Sequence, residues 1–322
     1  MVFFRQKGTR HMPTPSEVIS LRPSASAAFL RRPLAAAAVC ALLLAACSTA
    51  AEHEPQVQAP PAVSPEVVVV AEQAIEKGRY ADAKLLLERV LLSDPGNLRA
   101  RLAMAEIQLA FRNLEAAHKA FAALAEIPEV AARAQQGGGI ALLLLGRDGE
   151  ALQALQQAVD QDPALWRAWN ALGSLHDRGG DWGQSGDAYD RALALNADSA
   201  MLYNNRGFSY LLRRDPEAAI ADFDKALQLD PKMDAARENL RLAFAWTGQY
   251  ERALLGVSRK DIGRAFNNIG FVALLRGDLP VAESYLLRSM EADARFNKVA
   301  NKNLEYLRSL KSMESTKPEG QG

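Results

Sequence analysis

A 34-residue period constrains this chain more than any other feature. Blocks open at Ser64, Leu98, Ala132, Trp166 and Ala200, with a sixth at Asp234. A fixed period of this length marks a stack in which each unit buries its apolar face only against its neighbours. Early in each block stands a small residue: Ala71, Ala105, Gly139, Gly173 and Gly207. Twelve residues on the device repeats as Ala83, Ala117, Ala151, Ser185 and Ala219, and bulky residues follow four later: Leu87, Phe121, Leu155, Tyr189 and Phe223. Small on one helix and bulky on the next predicts two closely approaching helices per block. Gly78, Gly146 and Gly180 fall where a left-handed turn joins them. Pro95, Pro128, Pro163 and Pro231 end the second helix, with Ala197 in that place once. Alternating strand patterning is confined to Val67–Val70, so the fold class is all-α.

The sixth block departs from the rule. Arg241 sits where a small residue belongs, and Gly256-Val257-Ser258 interrupts the second helix after Ala253. The seventh block begins at Gly263 and regains the pattern with Phe266, Gly270, Gly277, Ala282 and Leu286. The stack is therefore expected to bend or loosen at 256–262. A polar-edged helix from Asn297 to about Met313 is expected to cap it, and 314–322 to be disordered.

Trp169, Leu172, Gly173 and Ala192, then Tyr203, Gly207, Tyr210, Ala219, Phe223, Ala226 and Pro231, resemble the tetratricopeptide repeat (TPR) family. The resemblance covers residues 64–296 with irregularity at 234–262. It implies a TPR solenoid of about seven repeats plus a capping helix, a right-handed superhelix of antiparallel helix pairs with a concave groove.

The N-terminus carries a different signal. Arg31 and Arg32 precede fourteen uncharged residues, Pro33–Ala46, a run too short to span a bilayer but of signal-peptide length. It ends in Leu44-Ala45-Ala46-Cys47, which resembles the bacterial lipoprotein signal. That resemblance implies cleavage before Cys47, acylation of its thiol, and, with Ser48 next, an outer-membrane anchor facing the periplasm. Residues 1–46 are then a signal peptide with a long polar start, in which Met12 is a second possible initiator. Residues 47–63, with Pro55, Pro60 and Pro61, read as an extended tether. Cys40 is the one other cysteine and lies in the cleaved part, which leaves no disulfide, cysteine metal site or cysteine nucleophile.

Beyond residue 46 the chain has 32 basic and 37 acidic residues. That balance argues against nucleic acid as partner. Enzyme readings find little. His118 and His176 stand apart on helices, with packing the default reading of His176. No metal-ligand spacing occurs. Gly137-Gly138-Gly139 lacks the strand and the Lys-Ser/Thr of a phosphate loop. No cofactor, metal or small-molecule substrate is expected.

What remains is an internal match. Tyr203-Asn204-Asn205-Arg206-Gly207-Phe208 recurs as Phe266-Asn267-Asn268-Ile269-Gly270-Phe271, each followed by Leu-Leu-Arg-X-Asp. Asn205, Asn239 and Asn268 share one repeat position; Asn170, Asn204 and Asn267 share the one before it. Asparagine offers a donor and an acceptor together, so such a ladder can pair with an extended peptide. Phe208, Phe271 and Trp246 would add apolar contacts. The alternative is that the asparagines bridge neighbouring helices, and that Tyr203 and Phe266 pack between helices.

The stretch Ala245-Trp246-Thr247-Gly248-Gln249-Tyr250, Arg259-Lys260-Asp261 and Asn267 to Asp278 resembles TadD-like lipoproteins of the tight-adherence (Flp) pilus machinery over roughly 240–308. That resemblance implies a role in assembling a pilus secretion apparatus, with a secretin or another pilus component as partner. A type IV pilus pilotin and an outer-membrane assembly or export scaffold are the rival readings.

Overall fold

The structure, a computed structural model, describes residues 66–293, 295 and 297–315. The expected signal peptide, Cys47, the tether and residues 316–322 lie outside the described residues. The described part contains fifteen helices. Seven pairs follow the blocks: α1 (Glu66–Glu76) with α2 (Tyr80–Ser93), α3 (Leu98–Ala110) with α4 (Leu114–Ala125), and α5 (Ala131–Leu145) with α6 (Asp148–Gln161). Then come α7 (Trp166–Gly179) with α8 (Trp182–Leu195), α9 (Ala200–Leu212) with α10 (Pro216–Leu229), α11 (Asp234–Trp246) with α12 (Tyr250–Ala253), and α13 (Ile262–Arg276) with α14 (Leu279–Ala292). The last helix, α15, spans Asn297–Ser315, so residues 314 and 315 are helical where the sequence predicts disorder.

The small-to-bulky rule is visible as contact. A Cβ added at Gly139 would lie 2.6 Å from Leu155, one at Gly173 2.9 Å from Tyr189, one at Gly207 2.8 Å from Phe223 and one at Gly270 2.8 Å from Leu286. Those four bulky side chains are almost wholly buried. Gly137 does the same toward the preceding pair, where a Cβ would come within 2.3 Å of Phe121. The three consecutive glycines are thus mid-helix packing positions in α5.

The turn inside each pair is left-handed in all seven cases. Gly78, Gly146, Gly180, Gly248 and Gly277 have φ between +71° and +85°. Arg112 (φ +64°) and Arg214 (φ +62°) fill the same position in the second and fifth pairs. A side chain there costs roughly 1–2 kcal/mol relative to glycine.

First helices of successive pairs approach one another all along the stack, α1 with α3 and so on to α13 with α15, whereas the backbones of successive second helices stay apart. The stack therefore curves with the first helices inside. The irregular block leaves this inner row continuous. Phe244, Ala245, Ala253, Phe266, Ile269, Val272 and Tyr285 form one buried cluster across it. The expected loosening is confined to the outer side, where α12 is a single turn and Gly256 (φ +67°) leads the chain away. The cause is Arg241. Its guanidinium pairs with Glu238 and donates to the Leu255 carbonyl (3.4 Å), occupying the space a second helix needs.

α15 sits as the first helix of an eighth pair. Ala300, Leu304 and Leu307 are buried, while Asn301, Glu305 and Arg308 face out. Glu305 holds a charge on the outer face, so the described stack presents polar surface at this end.

Four substitutions test this reading. Arg112→Gly and Arg214→Gly should each raise the urea midpoint, equivalent to about 1 kcal/mol. Gly139→Ala should lower it by roughly 1–3 kcal/mol through overpacking, while Gly149→Ala, with open space around it, should not.

Candidate partner-binding face

The asparagines lie on the inner row, and three pairs run between successive first helices. Asn205 Nδ2 donates to Asn170 Oδ1 (2.9 Å), Asn239 Nδ2 to Asn204 Oδ1 (3.0 Å), and Asn303 Nδ2 to Asn267 Oδ1 (3.4 Å). A fourth bond joins Asn204 Nδ2 to Asn205 Oδ1 (3.3 Å). The first two rungs each use one residue of a repeat and the preceding position of the repeat before it, 35 residues apart, while the third spans 36. Asn204 and Asn267 are buried, and their carboxamides serve neighbouring helices. This corrects their expected place among groove contacts: the distance between first helices is short enough for one carboxamide to reach the next. The ladder breaks where Glu238 takes the acceptor position and pairs with Arg264 (3.2 Å). Asn268, half-buried, is left without an amide partner among the described residues.

The expected apolar contacts divide. Phe208 is exposed (38%) on α9. Trp246 is partly buried against the sixth-block cluster beside Leu242. Phe271, by contrast, is buried among Leu274, Leu279, Ala282 and Leu307. It leaves the list of groove residues because α15 covers it. Leu275 occupies the position equivalent to Trp246 and is exposed (44%). The open apolar surface of the inner face is therefore Phe208, Leu242, Trp246 and Leu275, with Asn205, Asn239 and Asn268 alongside.

The other half of the inner face is charged and, Arg133 apart, self-paired. Arg99 grips Glu72 bidentately (2.8 and 2.5 Å) across 27 residues. The same spacing sets Arg133 opposite Glu106, yet Glu106 pairs with Arg167 (3.0 and 3.1 Å), 61 residues away on α7. An ion pair from α3 to α7 passes over α5, which the strong inward curvature permits. Arg133 is left exposed without an ion pair among the described residues.

Two further features escaped the sequence reading. Asp177 is buried and accepts from Ser185 Oγ (2.5 Å), Ser209 Oγ (2.7 Å) and Tyr189 OH (3.0 Å), tying α7, α8 and α9 together. Burial, then the Asp177 charge, pushes the Tyr189 phenol up, so it stays a donor. Ser185 in place of alanine at the second-helix small position was the available signal. The second feature explains the Leu-Leu-Arg-X-Asp recurrence. Arg213 donates to the Trp182 carbonyl (3.4 Å) and Arg276 to that of Trp246, each reaching back to the preceding pair. Arg178 does likewise to Leu143 (3.2 Å). The motif aspartates stand just before the second helix: Asp215 caps the Ala218 amide (3.1 Å), and Asp278 accepts from Tyr250 and Arg276. His118 and His176 lie apart on α4 and α7.

With this geometry in place, the comparisons agree. Tetratricopeptide repeat family models match residues 74–136, 137–200 and 200–233. Protein FlbA of Caulobacter vibrioides is 33% identical over 115 residues, 34% of this chain and 19% of that protein. The lipoprotein NlpI homolog of Haemophilus influenzae is 35% identical over 81 residues, 25% of this chain and 26% of that protein. The chain thus spans about a quarter or less of the length of these relatives. Among solved structures, Cut9 in its Hcn1 hetero-tetramer superposes with a TM-score of 0.59 over 77% of this chain and 49% of that chain, at 19% identity, which speaks for the fold alone. The molecule is a tetratricopeptide-repeat solenoid, and such repeats are scaffolds that bind protein partners.

A double-mutant cycle of Asn170→Ala and Asn205→Ala should show a coupling of about 0.5–1.5 kcal/mol in unfolding. Asp177→Ala should cost more, about 2–4 kcal/mol, because it strands buried hydroxyl donors. Tyr250 is pushed up to about 12, by burial first and then by the Asp278 bond. A phenol raised in the folded state stabilises fully below its unfolded pKa of about 10. Stability should therefore fall between about pH 10 and pH 12, and Tyr250→Phe should flatten that part of a melting-temperature profile.

Proposed function

We propose that this chain is a lipid-anchored envelope scaffold that holds a segment of a pilus-assembly partner against the C-terminal half of its inner face. One observation carries the binding reading. Phe208 and Leu275 stay exposed on the concave row beside Leu242 and Trp246, with Asn268 unpaired next to them. Apolar side chains left open on a curved, polar-rimmed surface mark an interaction site. An extended segment laid there gains apolar burial from these four and a backbone partner from the free carboxamide.

The anchor rests on Leu44-Ala45-Ala46-Cys47, and the NlpI homolog, itself named a lipoprotein, lends it support. The pilus context rests on the TadD-like resemblance over 240–308, which places a secretin or another pilus-base protein first among partners. The outer membrane, facing the periplasm, is the proposed location.

Two measurements test this. Radiolabelled palmitate should enter the wild-type chain and not Cys47→Ser, which should also leave the membrane fraction. A C-terminally tagged chain should recover a pilus-base protein from detergent-solubilised envelopes, and Phe208→Asp/Leu275→Asp should lose it without a change in helicity. Recovery unchanged by that pair overturns the inner-face site; recovery of no envelope machinery overturns the pilus role.

A further inference from the structure

A cleft of about 380 Å³ opens between α2 and α4, with α3 as its floor. Leu91 of α2 forms one wall, Ala116, Ala120 and Ala123 of α4 form the other, and Arg101 and Met104 of α3 lie at the base. The repeat shows why it is open. Ala123 stands where the other regular pairs carry a long polar side chain: Arg89, Gln157, Arg191, Lys225 and Arg288. In three of those pairs the long side chain meets the first-helix residue at the position of Arg101. Gln135 Nε2 donates to Gln157 Oε1 (3.4 Å), the Arg191 guanidinium lies 4.5 Å over the Trp169 ring, and that of Arg288 lies 4.2 Å over the Phe266 ring. In the second pair alanine replaces the cover. Arg101, partly buried, is left with no hydrogen bond, ion pair or ring contact among the described residues.

We propose that the chain covers this cleft itself, with its own proline-rich segment Val57–Pro61 folded back from the start of α1. Position, reach and chemistry agree on that occupant. Helices of a pair run antiparallel, so α1 begins at the end of the stack where α2 stops at Ser93 and α3 starts at Leu98. Leu91 and Arg101 place the cleft at that same end. The fifteen residues 51–65 lie outside the described residues and lead directly into Glu66. One or two helix spacings, about 8–20 Å, separate α1 from the cleft, and fifteen extended residues reach about 45 Å. The chemistry is complementary as well. The cleft offers donors: Arg101 is donor-only, and the Gln108 oxygen is already taken by Asn113 Nδ2 (2.9 Å), which leaves its amide hydrogens. Pro60 and Pro61 offer only carbonyl acceptors and bring no N–H to strand. Val57, Ala59 and the two proline rings are apolar, as are the Leu91, Met104 and alanine surfaces they would meet. This docking is independent of the inner-face site. Where Cys47 is anchored, as proposed above, it shortens the free tether to residues 48–56.

Met104 at the base is a natural reporter. The full chain carrying Cys40→Ser and Cys47→Ser is isotope-labelled at its methionine methyl groups and given a nitroxide on Ala59→Cys. The Met104 methyl resonance is expected to be lost while the nitroxide is oxidised and to return on its reduction, with Met201, Met233 and Met290 sharp throughout. Ala123→Arg restores the cover that other pairs carry and should bring the Met104 signal back. Val57→Asp/Pro60→Asp should do the same without altering any residue of the helices, which keeps the test decisive if Ala123→Arg disturbs the fold. A Met104 signal that stays sharp beside the nitroxide, or a loss that persists in either variant, overturns the proposal. So does a loss that disappears on dilution into unlabelled chain without the nitroxide, since that assigns the cleft to the segment of a second copy.

Discussion

The close approach of two helices within each pair is the constraint on which the rest of this structure depends. At Gly139, Gly173, Gly207 and Gly270 no Cβ fits, because a leucine or aromatic side chain from the partner helix already occupies its place. Such a contact gives each pair a dry core worth several kcal/mol per plug, since truncating a buried Leu or Phe costs about 2–5 kcal/mol. It also narrows each pair at its waist and lets first helices of successive pairs meet. Inner curvature, the carboxamide rungs and the ion pair that steps over α5 all follow from that proximity. Arg241 shows the converse. One long side chain at the waist excludes a second helix, and the outer row is cut to a single turn at that pair alone.

Between pairs a second kind of contact takes over. A solenoid has few contacts beyond neighbouring pairs to fix its shape, the Glu106–Arg167 ion pair being one here, so each interface must set its own register. Apolar clusters supply attraction but little direction. The asparagine rungs, the Asp177 network and the arginines that reach back to a preceding carbonyl supply direction. Each contributes only about 1 kcal/mol net. The buried ones, the Asp177 network and the Asn267–Asn303 rung, also penalise a slipped register by the cost of stranded donors and acceptors. Polar groups inside this stack therefore act on alignment more than on total stability.

That division explains what the sequence revealed. Contacts within a pair are local, sixteen residues from small position to plug, and they repeat, so the period and the waist could be read directly. So could the glycine turns, although Arg112 and Arg214 show that the left-handed turn outlives the loss of its glycine. Contacts between pairs were harder. An asparagine at a given repeat position has the same identity whether it binds a peptide or the next helix. Only the spacing of first helices decides, and it assigned Asn204 and Asn267 to their neighbours. Phe271 misled for a related reason: α15, read only as a cap, also covers the inner face of the seventh pair. Ser185 did depart from the alanine rule, but nothing in one chain shows that an aspartate eight residues earlier waits for it.

The inner face is consequently two surfaces. Along α1 to α7 most of its charges are satisfied internally, by Glu72 with Arg99 and Glu106 with Arg167, with Arg133 left over. These pairs are partly exposed and individually weak, about 0–1 kcal/mol each, so they do not lock the face. Their effect is to neutralise it: a partner gains little from a carboxylate or cation that already has a counter-ion. Along α9 to α13 nothing comparable closes the surface, and Phe208, Leu242, Trp246 and Leu275 remain for a ligand. An anchor at Cys47 would leave the neutralised half nearer the membrane along the chain and the open half farther from it, so a partner segment need not compete with the lipid surface for the site.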